Sequence, residues 1–320
     1  MPLASLHPDS PPWQRQTLAV GDGHEIVVQQ HGNAHGLPAL VLHGGPGSGC
    51  SPLLRRVFDP QRFRIVCVDQ RGAGASRPRG ATLHNTTAHL IDDLRLVRKA
   101  LGIDSWLVAG GSWGAALALA YAAEDRAAVS ALLLRSSFLA RAEDIEWFFG
   151  GAREQAPQAW ARLATLAPNA ELLPSLAKAL HQDHAPTQRQ AALAWWHWEQ
   201  ALAGTDAPAP GDDAAIAALI DRYRVQSHYL INACFLAERP LLQRCADVPR
   251  VPTLLLHGTD DHVCRPEGAR LLQSALPHAR LHWIDGAGHD PTHPGMVDAT
   301  VSALDRCAAT GSLVEEHATQ

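Results

Sequence analysis

The chain has 320 residues, a formal net charge of −5, and 46% hydrophobic and 18% charged residues. This size and apolar content suit one large or two ordinary globular domains and exclude disorder over most of the chain. The mild acidity argues against sequence-independent nucleic-acid binding, because no basic excess exists to displace counterions from phosphates.

The N-terminal residues 1–16 contain prolines, Asp9 and Arg15 but no apolar run, so no secretory signal is expected. Strands are expected at 25–30, 39–42 and 64–68. The last, RIVCV, is nearly unbroken in its apolar character, as a strand buried on both faces should be. A helix follows over 86–101, where Leu90, Leu94, Val97 and Leu101 recur at helical spacing. Next come a strand at 106–109, an Ala/Leu helix at 113–123 and a strand at 129–134. The longest apolar run, 115–123, is far shorter than the roughly 20 residues that span a bilayer. This alternation predicts a mostly parallel sheet with helices on both faces.

The rhythm breaks over 139–246, which is rich in Ala, Trp and Gln and lacks convincing strands. A stretch expected to be flexible, 204–213, interrupts it. A strand (253–257), helix (267–276), strand (281–284) and helix (296–307) then complete the chain. The expected organisation is therefore a sheet-based catalytic domain from 1–138 and 247–320, with 139–246 as an inserted helical lid. Such an insertion suits the ligand-binding rim at the strands' carboxyl ends.

Gly110-Gly111-Ser112-Trp113-Gly114 follows an apolar strand and opens a helix. A serine on such a turn has its hydroxyl exposed, and small residues two positions to either side let strand and helix approach closely. The Trp113 N–H lies at a helix N-terminus and can stabilise an oxyanion. His43-Gly44-Gly45-Pro46-Gly47 ends another strand and can supply a second backbone donor; it lacks the Gly-Lys-Ser/Thr ending of a phosphate loop. Beyond an elbow of this kind the order is an acid, then a histidine. His257-Gly258-Thr259-Asp260-Asp261 and Gly286-Ala287-Gly288-His289 both follow strands. His289 is the expected base, with His293 as its rival, and spacing alone does not choose between Asp260 and Asp261.

Eighteen histidines raise the question of metal, but the nearby pairs 257/262, 278/282 and 31/35 match no ligand pattern such as H-E-x-x-H. No metal or organic cofactor is expected. The six cysteines form no C-x-x-C pair, so a reducing, cytoplasmic setting is expected.

HGGPGSGC (43–50), DQRGAGAS (69–76), GGSWGAALALAYA (110–122), WHWE (196–199), HYLIN (228–232), HGTDDHVC (257–264) and GAGH (286–289) together resemble the proline iminopeptidases. These are α/β-hydrolases that remove N-terminal proline from peptides. The resemblance implies an α/β-hydrolase fold, a helical cap, and small peptide substrates beginning with proline. It also implies Asp261 as the acid beside Ser112 and His289, and Gly45 and Trp113 as the oxyanion amides. In the family a lid carboxylate holds the substrate's free amine, a role that falls on Glu199. Trp195, Trp198 and Glu199 share one helical face, and Trp195 is expected with Glu199 at the substrate. One position departs from the pattern: Gln226 stands where the family often has a second amine-binding glutamate. Glutamine can accept a hydrogen bond from an ammonium but brings no charge, so an esterase or amidase on the same scaffold is the alternative reading.

Overall fold

The computed structural model of the chain describes residues 5–168, 170–205 and 208–314. Eight strands form one sheet: β1 (Gln14–Ala19), β2 (Glu25–Gly32), β3 (Leu37–Leu42), β4 (Phe63–Asp69), β5 (Trp106–Gly111), β6 (Val129–Arg135), β7 (Thr253–Gly258) and β8 (Arg280–Ile284). Their spatial order is β1-β2-β4-β3-β5-β6-β7-β8. β2 is antiparallel to both β1 and β4, and every other neighbouring pair is parallel. β5 and β7 are buried at every position, which explains why their sequences lack a polar alternation. Along β4 the two-residue period sends Ile65 and Cys67 into one core layer and Val66 and Val68 into the other.

Helices cover both faces. After α1 (Pro52–Arg56) comes α2 (Thr87–Ala100), whose Leu90, Ile91, Leu94 and Val97 are buried. The Thr86 side chain caps it by accepting from the His89 N–H. α3 (Trp113–Glu124) is buried from Trp113 through Ala122. Its alanines bring it close to the sheet, where it contacts β3, β5 and β6.

Among the described residues, six α-helices lie between β6 and β7: α4 (Ala142–Phe148), α5 (Pro157–Ala164), α6 (Leu172–His181), α7 (Ala185–Ala203), α8 (Asp213–Ile231) and α9 (Leu241–Arg244). The longest, α7 and α8, meet through an aromatic seam in which Trp195 stacks on Tyr223 with ring centroids 4.7 Å apart. The break expected at 204–213 falls between them, with residues 206–207 outside the described residues. Asp212 ends it by capping α8, accepting from the Ala215 N–H at 2.7 Å. The far end of α8 is tied to the loop before α2. Tyr229 Oη donates to Asn85 Oδ1 at 2.9 Å, and His228 Nε2 donates to the Asn85 carbonyl at 2.9 Å. After β7, the described residues hold two further helices: α10 (Pro266–Ala275) beside β7 and β8, and α11 (Pro294–Thr310), whose Met296, Leu304 and Cys307 cover the second core layer.

Every strand and helix expected in the sheet-forming parts of the sequence is present. β1 and α1 were not expected. β1 reads QRQTLA with only half-buried alternate positions, so its polar edge-strand sequence carries a weak apolar signal. No helix among the described residues is long and apolar enough to cross a membrane.

Candidate active site

Ser112 joins β5 to α3 with φ 56° and ψ −122°, a conformation that L residues rarely adopt. The flanking glycines are sterically required. A Cβ on Gly110 would stand 2.3 Å from the Gly114 carbonyl oxygen, and one on Gly114 would stand 2.2 Å from that of Leu42. Ser112 N–H donates to the Arg135 carbonyl at 2.9 Å, which pins the turn to β6. The Trp113 N–H at the start of α3 and the Gly45 N–H have no backbone acceptor among the described residues.

The 43–47 loop is held by a buried chain of hydrogen bonds. Gln70 N–H donates to His43 Nε2 at 3.1 Å, and His43 Nδ1 donates to the Gly44 carbonyl at 2.9 Å. This assigns His43 its neutral, Nδ1-protonated form; burial, partly opposed by Asp69, lowers its pKa in agreement. Gln70 Nε2 donates to the His43 carbonyl at 3.0 Å, and Trp113 Nε1 donates to Gln70 Oε1 at 3.0 Å. The HGGPG loop, the DQRG loop and the serine turn are thereby linked.

Beyond the carboxyl ends of β7 and β8, His289 Nδ1 stands 2.8 Å from Asp261 Oδ2. Asp261 is 1% exposed, and its Oδ1 accepts from the Val263 and Cys264 N–H groups at 3.0 and 2.8 Å. Burial alone would raise this carboxyl's pKa, but the charge and hydrogen bond of His289, the nearby His257 and the Cys264 amide together bring it below the ordinary value. An ionised Asp261 fixes the proton on His289 Nδ1 and leaves Nε2 as the acceptor. Asp260 is exposed, its N–H bound to the Ala287 carbonyl. His293 instead occupies the N-cap of α11 and faces the groove beside β8. No hydrogen bond joins the Ser112 hydroxyl to His289 among the described residues; such contacts commonly tighten only when substrate binds.

Ser112 and Gly45 open into a cavity of about 50 Å³ whose other walls include Phe138, Ile145, Phe148, Phe149, Leu230 and Cys264. One water needs roughly 10–15 Å³, so the space takes a few waters or one small ring. Glu199, Gln226 and Asp144 are its polar wall. Glu199 Oε1 accepts from Arg222 Nη2 at 2.6 Å and Oε2 from Tyr223 Oη at 2.7 Å. Gln226 is 6% exposed, and its Oε1 has no partner, so it is a desolvated acceptor on the cavity wall.

Trp195, expected at the substrate, is not on this wall. It is 0% exposed and packs between Tyr223 and Phe149. Its ring turns into the seam between α7 and α8, one layer behind Glu199. Sequence reasoning missed Arg222 and Tyr223, whose positions four and three before Gln226 on α8 offered the only hint. It also missed Asp144, which pairs with Arg141 at 2.6 Å at the start of α4. All six cysteines are free, and burial pushes the Cys264 thiol pKa well up.

Comparison with known proteins agrees with this architecture. The family described as alpha/beta hydrolase fold matches residues 38–294. A proline iminopeptidase of Xanthomonas citri is 39% identical over 312 residues, covering 95% of this chain and 99% of its own. One of Arabidopsis thaliana is 36% identical over 316 residues, covering 95% and 82%. Among solved structures, a proline iminopeptidase of Mycobacterium smegmatis aligns with TM-score 0.63 at 22% identity, covering 93% of this chain and 100% of that one. That likeness speaks for the fold alone. The sequence relatives go further, since they match at this identity across nearly the whole chain, and the chain therefore belongs to the proline iminopeptidase family of α/β-hydrolases.

Proposed function

We propose that the protein is a serine aminopeptidase that releases N-terminal proline from peptides. The observation that carries this reading is the enclosed cavity with Ser112 at one wall and the Glu199 carboxylate at another. A reactive serine supports acyl transfer, and a half-buried carboxylate on the same cavity supports recognition of a substrate's free amine. We assign 139–246 as the cap and 1–138 with 247–320 as the catalytic domain.

In this mechanism Ser112 Oγ attacks the prolyl carbonyl while His289 Nε2 takes its proton. Asp261 holds the imidazole and stabilises the imidazolium. The Gly45 and Trp113 amides receive the oxyanion; one such donor contributes about 10²–10³ in rate. His289 then protonates the leaving peptide amine, and water hydrolyses the prolyl-enzyme with His289 again as base. Glu199 accepts from the prolyl ammonium, and Gln226 Oε1 supplies a second, uncharged acceptor. Trp195 acts through Tyr223, which it stacks upon and which donates to Glu199. The aromatic wall encloses the ring and excludes longer acyl groups. The chemistry calls for no cofactor, and free thiols throughout suit a cytoplasmic location.

The test is kcat/KM on proline β-naphthylamide, alanine β-naphthylamide and N-acetyl-proline β-naphthylamide. Fast turnover of free proline with loss on acetylation is expected. Equal rates on free and acetylated substrates, or turnover of simple acyl esters alone, would favour the esterase or amidase reading.

A further inference from the structure

Away from the cavity, the fold brings Asp22 to two histidines that lie far from it in sequence. Asp22 lies in the turn between β1 and β2, His84 in the loop before α2, and His89 in the first turn of α2. One donor atom from each lies within 4.8 Å of the others. We propose that Asp22, His84 and His89 bind a borderline first-row divalent cation, with zinc as its representative.

The surroundings prepare the donors. His89 Nδ1 stands 2.8 Å from Thr86 Oγ1; with Nδ1 protonated to donate there, the Nε2 lone pair faces Asp22 Oδ2 at 3.9 Å. A hydrogen bond of this kind from the other ring nitrogen orients a metal-binding imidazole. The backbone under the site is also fixed. Arg71 donates to the His84 carbonyl at 2.7 Å and to the Val20 carbonyl at 2.8 Å, which joins the two loops. Asp22 and His84 both have positive φ, 54° and 51°, so each side chain leaves the backbone in a direction ordinary turns do not give.

Charge and donor type select the ligand. Arg71 stands 3.7 Å from Asp22 Oδ2, but its guanidinium is already paired bidentately with Asp93 at 2.8 Å on both arms. Arg71, Asp93 and Asp22 together carry one net negative charge beside two imidazoles. That set favours zinc, nickel or copper over magnesium or calcium, which prefer oxygen donors. Tetrahedral coordination at about 2.1 Å sets donors about 3.4 Å apart. The cluster must contract by about an ångström, which rotation of the exposed Asp22 and His84 side chains can supply. The bound ion would clamp the loop whose next residue, Asn85, holds the end of α8.

The test is titration of the EDTA-treated full-length protein with zinc chloride by calorimetry, with Asp22→Asn and the double variant H84N/H89Q beside it. Asparagine tolerates positive φ at positions 22 and 84. Wild type should bind one equivalent with micromolar or tighter Kd and gain several degrees in Tm with excess zinc. Both variants should lose tenfold or more in affinity while keeping the metal-free Tm. As a check without substitution, zinc should protect His84 and His89 of the wild type from diethylpyrocarbonate, read by mass spectrometry. Unchanged binding in the double variant, or no protection of these two histidines, would overturn the proposal.

Discussion

Glu199→Gln separates recognition of the substrate amine from support of the cap. In the structure both carboxylate oxygens are occupied, by Arg222 at 2.6 Å and Tyr223 at 2.7 Å. Glutamine can keep both geometries, with its carbonyl toward Arg222 and its amide N–H toward the Tyr223 oxygen. What is lost is the charge that the substrate ammonium meets. A charge-assisted hydrogen bond contributes about 1.5–3 kcal/mol, which corresponds to roughly a 10–150-fold loss in kcat/KM on proline β-naphthylamide. N-acetyl-proline β-naphthylamide has no ammonium and should lose much less, so the ratio of the two constants should fall by nearly the full factor. The Arg222 and Glu199 side chains are only 23% and 16% exposed, so a guanidinium that keeps its hydrogen bond but loses its counter-charge should also cost about 1–3 kcal/mol of stability, read by denaturant melts. If both substrates fall by the same factor, Glu199 serves only as the counter-ion of Arg222 and the amine-binding argument fails.

Gln226→Glu should raise kcat/KM on the free-amine substrate about tenfold, by supplying charge to a buried acceptor that now has no partner. The same change should lower Tm, because without substrate that carboxylate is desolvated; a rise in turnover of the acetylated substrate would contradict it. Asp261→Asn should reduce kcat about 10⁴-fold while leaving Ser112 in place, since the amide favours the wrong imidazole tautomer. The Asp261 pKa is lowered in the folded chain. Its ionised form therefore adds stability that is complete above the unfolded-state value of about 3.9 and is lost as pH falls through the lower folded value. Denaturant melts across that acid range should show D261N lacking this part of the wild-type decline. Gly114→Ala places a Cβ 2.2 Å from the Leu42 carbonyl, so it should strain the serine turn and abolish labelling of Ser112 by a fluorophosphonate; normal labelling would show that the strand–helix approach has slack.

The sheet and the serine turn were legible because their signals are local. RIVCV is apolar at consecutive positions, and Gly110 and Gly114 bracket Ser112 at the spacing that close strand–helix contact demands. The cavity wall was less legible because it is made by helix pairing. Nothing in WWHWE (195–199) says that Trp195 turns into the seam with Tyr223 while Glu199 faces inward, since helical periodicity gives a shared face but not its rotation against a partner. Arg222, Tyr223 and Asp144 entered the wall or its support through that same pairing. Asp22, His84 and His89 meet only because Arg71 fastens the two loops together, an arrangement that pairwise spacing does not encode.

The hydrogen bonds running from His43 through Gln70 to the Trp113 indole also constrain how this protein can change over generations. Replacing the Gln70 side chain alone would strand the buried Trp113 indole N–H and the His43 carbonyl, each an unsatisfied polar group costing about 1–3 kcal/mol. Replacing His43 or Trp113 alone strands part of Gln70. A lineage leaving this arrangement therefore crosses a valley unless substitutions at 43, 70 and 113 arrive together. Three short words of sequence, separated by dozens of residues, are inherited as one.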